Sequence, residues 1–210
     1  MTDPRGRLFI VSAPSGGGKT SLTRALLPRL AQRRHAAAIS VSYTTRAPRA
    51  GETDGEHYHF VDEARFVQMI QAGEFLEHAQ VFGRRYGTGR RRTVELLEQG
   101  VDLILDIDWQ GAQQVRQAMP EARSVFILPP SLQELERRLS GRGQDDAATV
   151  AARMALARAE MSHYAEYEAL IVNQDFAGAL EDLCALFLAP RLALAAQQAR
   201  HAALIRALLD

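Results

Sequence analysis

The sequence predicts an α/β fold in which a parallel sheet carries helices on both faces. Three observations predict it. Short, almost wholly apolar runs recur along the chain, as in strands buried on both sides. Stretches with helical periodicity separate them, the alternation of a doubly wound sheet. The first apolar run, Leu8 to Val11, passes directly into a glycine-rich turn and then a helix-compatible stretch from Ser21 to Leu30.

In order, the strands are read as 8–12, 38–42, 101–108 and 124–128, with a shorter fifth at 170–173. Helical patterns fall at 20–32, 89–99, 110–118, 131–140, 147–168 and 176–188. Ser12 and Asp106 stand at the carboxyl ends of strands, where sheets of this kind bind ligands. Two stretches break the alternation. Residues 43–88 are rich in Gly, Thr, Tyr and charge, with short alternating pieces at 57–61, 77–82 and 85–87, and predict a small β-containing lobe inserted into the core. Residues 140–152 form a polar hinge in which Gly141 and Gly143 suit a mobile lid. The tail from Arg191 to Asp210 reads as one Ala/Leu-rich helix.

With 210 residues, 47% of them hydrophobic, the chain can bury a full core as one domain or one domain with lobes. A formal net charge of zero argues against nucleic-acid or membrane partners held by bulk electrostatics. The arginines are clustered instead, at Arg84-Arg85, Arg90-Arg91-Arg92 and Arg137-Arg138-Arg142, which suits small anions. The single cysteine, Cys184, excludes an intramolecular disulfide and a Cys-based metal site. The N-terminus lacks the apolar core of a secretory signal, and no run approaches the ~18 apolar residues of a membrane helix. A cytoplasmic, soluble protein is the expectation.

The glycine-rich turn is Ala13-Pro14-Ser15-Gly16-Gly17-Gly18-Lys19-Thr20, and it holds the only lysine among 25 basic residues. Guanidinium is a broad planar fork, whereas ammonium is a compact charge on a slender stem. A cation that must thread under a tight loop to reach phosphate oxygens has to be the slender one, which is the mechanics of a P-loop. The first position is Ala13 where the general pattern has glycine, and alanine is tolerated there if its φ is negative. Backbone N–H groups of residues 16–20 would then cradle phosphate at a helix N-terminus.

Three further constellations carry chemistry. The strand at 101–108 ends in Asp106 and Asp108, which a strand period of two projects from one face. On a P-loop fold this is the place of the acid that orients Mg²⁺, with Thr20 as hydroxyl partner. The alternative for Asp108 is to cap the helix that begins near Gln110. Arg46 and Arg49, with the phenols of Tyr58 and Tyr86, could converge as a phosphomonoester clamp. His57 and His59 sit two apart, but with no third ligand nearby a packed or solvated strand face is the better reading.

Taken together, the run Ser12 to Thr20, Ser42-Tyr43-Thr44-Thr45-Arg46-Ala47-Pro48-Arg49-Ala50-Gly51-Glu52, Gly55-Glu56-His57-Tyr58, Phe75-Leu76-Glu77-His78-Ala79, Tyr86-Gly87-Thr88, Asp106-Ile107-Asp108-Trp109-Gln110-Gly111, Gly141-Arg142-Gly143 and Ile171-Val172-Asn173 resemble a bacterial guanylate kinase. The resemblance spans residues 5–188. It implies a P-loop NTPase-type core at 5–42, 89–130 and 165–188, a GMP-binding lobe at 43–88, a lid at 131–160 and a C-terminal helix at 189–210. It also implies ATP and GMP, with dGMP a second candidate, as substrates, and Mg²⁺ held by Thr20 and Asp106, partly through water.

Carried over by position, the ATP site falls on Ser12, Ala13, Pro14, Ser15, Gly16, Gly17, Gly18, Lys19 and Thr20, with Asn173 near the adenine. GMP phosphate falls to Arg46, Arg49, Tyr58 and Tyr86, and guanine to Ser42, Glu77 and Thr88, with Asp106 and Asp108 beside the nucleotide. Guanine presents N1–H and N2–H donors that one carboxylate can accept together, and adenine lacks both. The lid arginines fall on Arg138, Arg142 and Arg153, and with Lys19, Arg46 and Asp106 they make the implied catalytic set. The alternative reading is a catalytically inactive guanylate-kinase-like scaffold that binds phosphopeptides, which would keep the phosphate clamp while losing the ATP machinery.

The lone lysine generates the first prediction. Lys19→Arg should be almost as damaging to phosphoryl transfer as Lys19→Ala in a steady-state assay. An arginine variant within about threefold of wild type, a loss under ~0.7 kcal/mol, would show that charge alone suffices.

Overall fold

The computed structural model describes residues 5–81, 83–140 and 147–210. The chain begins with β1 (Leu8–Ser12), α1 (Lys19–Gln32) and β2 (Ala37–Ile39). A second group of elements follows: β3 (Tyr43–Thr44), β4 (His59–Phe60), α2 (Glu63–Gln71), β5 (Phe75–Val81) and β6 (Arg84–Gly89). The path then returns through α3 (Arg90–Glu98), β7 (Asp102–Asp106), α4 (Trp109–Ala118) and β8 (Arg123–Leu128). Next come α5 (Leu132–Ser140), α6 (Ala147–Met161), β9 (Ala169–Val172) and α7 (Phe176–Leu188), and the tail carries α8 (Leu194–Arg200) and α9 (Ala202–Leu209).

The main sheet has the order β2-β7-β1-β8-β9 and every pairing in it is parallel. Strand alternation divides its side chains between two cores. Phe9 and Val11 face α1 and α7, where they pack with Leu22, Leu26, Leu183 and Phe187. Leu8 and Ile10 face α3 and α4, with Leu97, Ala112 and Val115. Both faces are therefore covered, which is why β1 and β7 read as continuous apolar runs. Leu135 and Leu139 of α5 form a separate cluster with Met154 and Ala157 of α6.

The inserted segment forms its own four-stranded sheet, ordered β4-β3-β6-β5, in which β5 and β6 make an antiparallel hairpin. Its short β pieces were legible, but α2 was not expected. Its signal is Asp62, whose carboxylate accepts from the backbone N–H of Arg65, followed by Phe66, Met69 and Ile70 on one face. His59 belongs to this packing, 4.6 Å from the Tyr43 ring, and His57 Nδ1 accepts from the Thr53 amide, so neither histidine is placed as a metal ligand. Among the described residues no His, Cys, Asp or Glu group could hold a metal on its own.

Several expected boundaries move. β2 stops at Ile39 rather than at residue 42, and the helix expected over 147–168 ends at Met161, with a 3₁₀ turn at Tyr164–Glu166. The tail is not one helix. A 3₁₀ turn over Ala189–Leu192 precedes α8, and His201, at φ −111° and ψ 21°, separates α8 from α9. Gly141, Arg142 and Gly143, expected to form the lid hinge, lie outside the described residues.

Phe187 stacks on Phe9 at 3.7 Å between ring centroids, and both rings are buried. Phe187→Ala should therefore destabilise the protein by about 3–5 kcal/mol. Leu208→Ala, at a side chain 74% exposed on α9, should cost less than ~0.5 kcal/mol. Urea midpoints of the two variants check the pair, and equal losses would contradict the core assigned here.

Candidate active site

The P-loop leaves β1 at Ser12, whose buried hydroxyl donates to the carbonyl of Ile107 at 2.9 Å. Gly18 caps α1 with φ 95°, in the left-handed region. A Cβ there would lie 2.5 Å from Asn173 Nδ2, so a side chain is excluded by space as well as by backbone. Asn173 itself is buried at the end of β9 and donates to the carbonyl of Gly17 at 3.1 Å. The expected adenine neighbour thus also braces the loop. Ala13 is absent from the left-handed residues, so the departure from glycine is accommodated as anticipated. The expected cradle of amides is narrower than 16–20, because the Gly17 N–H is spent on the carbonyl of Pro14 at 2.9 Å.

Lys19 Nζ reaches across to the end of β7. It lies 2.7 Å from Asp106 Oδ1 and donates to the Ile107 carbonyl at 2.9 Å. Thr20 Oγ1 donates to the other Asp106 oxygen at 3.1 Å. One carboxylate therefore holds both the cation and the hydroxyl of the loop. Asp108 differs from the strand-face expectation. β7 ends at Asp106, and Asp108 is the N-cap of α4, its Oδ1 accepting from the Gly111 amide at 2.9 Å. The two acids do not share a strand face, because the chain has already left the sheet.

Two clefts meet at this point. The first, of about 500 Å³, is lined by Ser42, Tyr58, Glu77 and Tyr86 together with Asp106 and Asp108. The second, of about 570 Å³, is lined by residues 13–21 of the P-loop with Arg138, Asn173 and Phe176. Lys19, Thr20, Val81 and Asp108 belong to both walls.

Glu77 is the buried acid of the first cleft. Burial pushes its carboxyl up to about 7, with the Asp108 charge adding to the effect. The Thr88 hydroxyl, which donates to Glu77 Oε1 at 2.6 Å, and the Lys19 charge pull the other way. Thr88 is fully buried behind Glu77. A Cβ on Gly111 would come within 2.6 Å of Glu77 Oε2, so glycine at the start of α4 is what makes room for the carboxylate.

Arg46 does not line the cleft. Its Nη2 is 2.7 Å from Glu52 Oε1, and its guanidinium lies 5.3 Å from the centre of the Tyr58 ring. Arg49 is exposed and gives its backbone N–H to Glu52 Oε2 at 2.7 Å. The Arg46 and Arg49 contacts hold the Glu52 carboxyl down at about 2. Tyr58 and Tyr86 meet edge to face at 6.0 Å. Glu52 thus links the guanidinium of Arg46 to the backbone of Arg49, and Arg46 in turn stands beside Tyr58.

Of the lid arginines, Arg138 lines the second cleft and its Nε donates to Glu134 at 2.7 Å. Arg153 is half-buried on α6, away from that wall, and Arg142 lies outside the described residues. Three contributors were missed by sequence reasoning. Glu52 holds Arg46, the Ile107 carbonyl receives Ser12 and Lys19, and Glu160 of α6 accepts from the Ser15 amide at 2.9 Å. Burial raises the Glu160 carboxyl above its ordinary range. Glu52 stood within a quoted motif, but nothing local marks Glu160, whose partner is remote in the chain.

A family model described as guanylate kinase matches residues 5–189. The guanylate kinase of Salmonella choleraesuis is 59% identical over 205 residues, covering 98% of each chain. That of Escherichia coli is 58% identical with the same coverage. Among solved structures, a guanylate kinase from Anaplasma phagocytophilum is similar with a TM-score of 0.73 at 34% identity, covering 90% of this chain and 88% of that one. A P-loop tied to Asp106, a second cleft built on a buried carboxylate and agreement of this extent have one reading: the chain belongs to the guanylate kinase family.

Proposed function

We propose that the two clefts form one phosphoryl-transfer site, moving the γ-phosphoryl group of ATP to GMP to give ADP and GDP. The observation that carries this is their meeting at Lys19, Thr20 and Asp108. A donor on the P-loop and an acceptor against Glu77 would bring their phosphates together there, as in-line transfer requires. An oxygen of the GMP phosphate attacks Pγ, and the bond from Pγ to the β–γ bridging oxygen breaks, leaving ADP with the electron pair. The nucleophile is already anionic, so the chain need supply no general base.

The residues take the roles that the resemblance implies for their positions. Ser12 to Thr20 hold the ATP phosphates, and Lys19 leaves Asp106 to meet the β- and γ-oxygens. Arg46, Arg49, Tyr58 and Tyr86 take the GMP phosphate, Arg46 exchanging Glu52 for it. Ser42, Glu77 and Thr88 read guanine. By the resemblance, Arg138, Arg142 and Arg153 would come to the transferring group on closure of the lid at 131–160, where a cation stabilises charge that develops only in the transition state. The Thr20 hydroxyl and Asp106 carboxylate are adjacent hard oxygen donors, a fit for Mg²⁺ whose shell is completed by water and phosphate. When bound, the ion would neutralise charge on the β- and γ-oxygens. This reading belongs to purine nucleotide metabolism and GMP recycling in the cytoplasm. Retention of Lys19, Thr20, Asp106 and Arg138 beside the clamp speaks against the inactive scaffold.

A steady-state assay with ATP and each of GMP, AMP, UMP and dTMP tests the proposal. Turnover with GMP alone is expected, and equal turnover with AMP would overturn the role of Glu77. Glu77→Gln keeps one acceptor but turns a donor toward the guanine N–H groups. It should lower kcat/KM for GMP by roughly 10²-fold or more while leaving the KM for ATP near wild type.

The position of the Glu77 carboxyl also predicts a pH dependence. Its value is raised from 4.5 to about 7 in the folded protein, so between those limits the folded state holds a proton that the unfolded state has released. Stability from this group is complete below pH ~4.5 and is lost as pH rises toward 7. GMP needs the ionised acceptor, so the KM for GMP should rise as pH falls below 7. The slope should disappear in Glu77→Gln, and a slope unchanged in that variant would assign the titration elsewhere.

A further inference from the structure

Besides its arginines, the helix pair α5 and α6 brings an acid to the P-loop. Glu160 lines the second cleft with residues 13–21, and its Oε2 accepts from the backbone N–H of Ser15 at 2.9 Å. It takes no part in the wall of the first cleft. Burial raises its carboxyl above the ordinary range; the Ser15 amide and the Lys19 charge oppose that rise, and the Asp108 charge adds to it. Lys19 and Asp108 belong to both cleft walls, so the Glu160 charge is felt where the clefts meet.

The helix fixes the place of this carboxylate from both sides. Before it, Met154 and Ala157 pack with Leu135 and Leu139 of α5. Ala157 precedes Glu160 by three residues, so the two share a face of the helix. Beyond it, the His163 ring lies flat on Trp109 at the start of α4, with 3.7 Å between centroids and 7° between planes. α5 meets the same loop one residue further on. A Cβ on Gly16, whose φ is 81°, would lie 3.0 Å from both Leu135 Cδ1 and Leu139 Cδ2. Glycine at that position lets the helix pair approach the loop closely, and the approach carries Glu160 to the Ser15 amide.

To a loop amide, a carboxylate is the same kind of partner as a phosphate oxygen, an anionic acceptor. A polyphosphate entering the cleft meets that acid as a like charge in a partly desolvated space, where repulsion is weakly screened. We propose that Glu160 is a built-in competitor of the phosphate donor, an anion of the chain's own that the donor must displace from the P-loop. It thereby lowers the affinity of the second cleft for the donor and leaves the acceptor cleft untouched. The inference rests on reading the second cleft as the donor site.

The test is calorimetric titration of the full chain with tripolyphosphate, which carries the donor's phosphates without its base, and with a non-hydrolysable ATP analogue. Divalent metal is withheld, so that no ion bridges the two anions. Glu160→Gln removes the charge but keeps an oxygen that can accept from Ser15, and Glu160→Ala removes both. Each variant should bind both probes about 10-fold more tightly than wild type, while the GMP dissociation constant stays at the wild-type value. Glu136→Gln, exposed on α5, takes the same charge from the helix pair and should bind as wild type does. A carboxylate that only braced the loop predicts the opposite sign, with Glu160→Gln unchanged and Glu160→Ala weaker. That pattern, or equal affinity in all four proteins, would overturn the proposal and leave the donor site standing. Wild-type protein that bound neither probe would overturn the donor reading of the cleft, and this proposal with it.

Discussion

The parallel pairing of β1 with β7 is the constraint on which the site depends. Its register sets Val11 against Asp106, so the P-loop and the carboxylate it needs leave the sheet side by side. Ser12 and Lys19, at the foot and tip of the loop, then converge on one atom, the carbonyl of Ile107. A slip of one residue would turn Asp106 to the other face of the sheet and bring an apolar side chain toward the ammonium. The apolar cores on the two faces forbid that slip, because it would exchange Leu103 and Leu105 with Ile104. Packing that has no contact with phosphate therefore fixes the geometry that does.

Charges within the site compensate one another. Asp106 holds Lys19, Glu52 holds Arg46, and Glu160 takes the amide of Ser15. Each of these three donors has a carboxylate oxygen within hydrogen-bond distance. Substrate binding is then an exchange of acceptors, and its net free energy is the difference between two charge-assisted interactions. Such an arrangement keeps buried cations from standing alone, since an unpaired charge in that environment is costly. Glu77 is the exception: Thr88 gives it one hydrogen bond, and burial does the rest by favouring the neutral acid.

What could be read from the sequence was what is local. The apolar runs of β1, β7 and β8, the glycine-rich turn and the acid at Asp106 are each defined by their near neighbours, and they fold as that pattern requires. Asp108 was ambiguous because one residue decides whether it belongs to a strand or to a helix cap, and strand ends are set by pairing partners. The helix α2 was hidden among turn residues although Asp62 and the spacing of Phe66, Met69 and Ile70 announced it. Glu160 and Ser15 meet only through tertiary structure, as do His35 and Asp102. The tail read as continuous because Ala and Leu favour helix on both sides of His201, whose backbone breaks it.

The central place of β1 has a consequence in time. Its two neighbours, β7 and β8, begin at Asp102 and Arg123, so β1 cannot be enclosed until both have been made. Until those residues are made, Leu8 to Val11 remain an unpaired apolar edge, the kind of surface that promotes aggregation. The β5–β6 hairpin closes within residues 75–89 and can form while the older strand waits, although α4 must still be made to pack on β5. The hairpin that walls one half of the site can therefore close before the sheet into which it is inserted has all its strands.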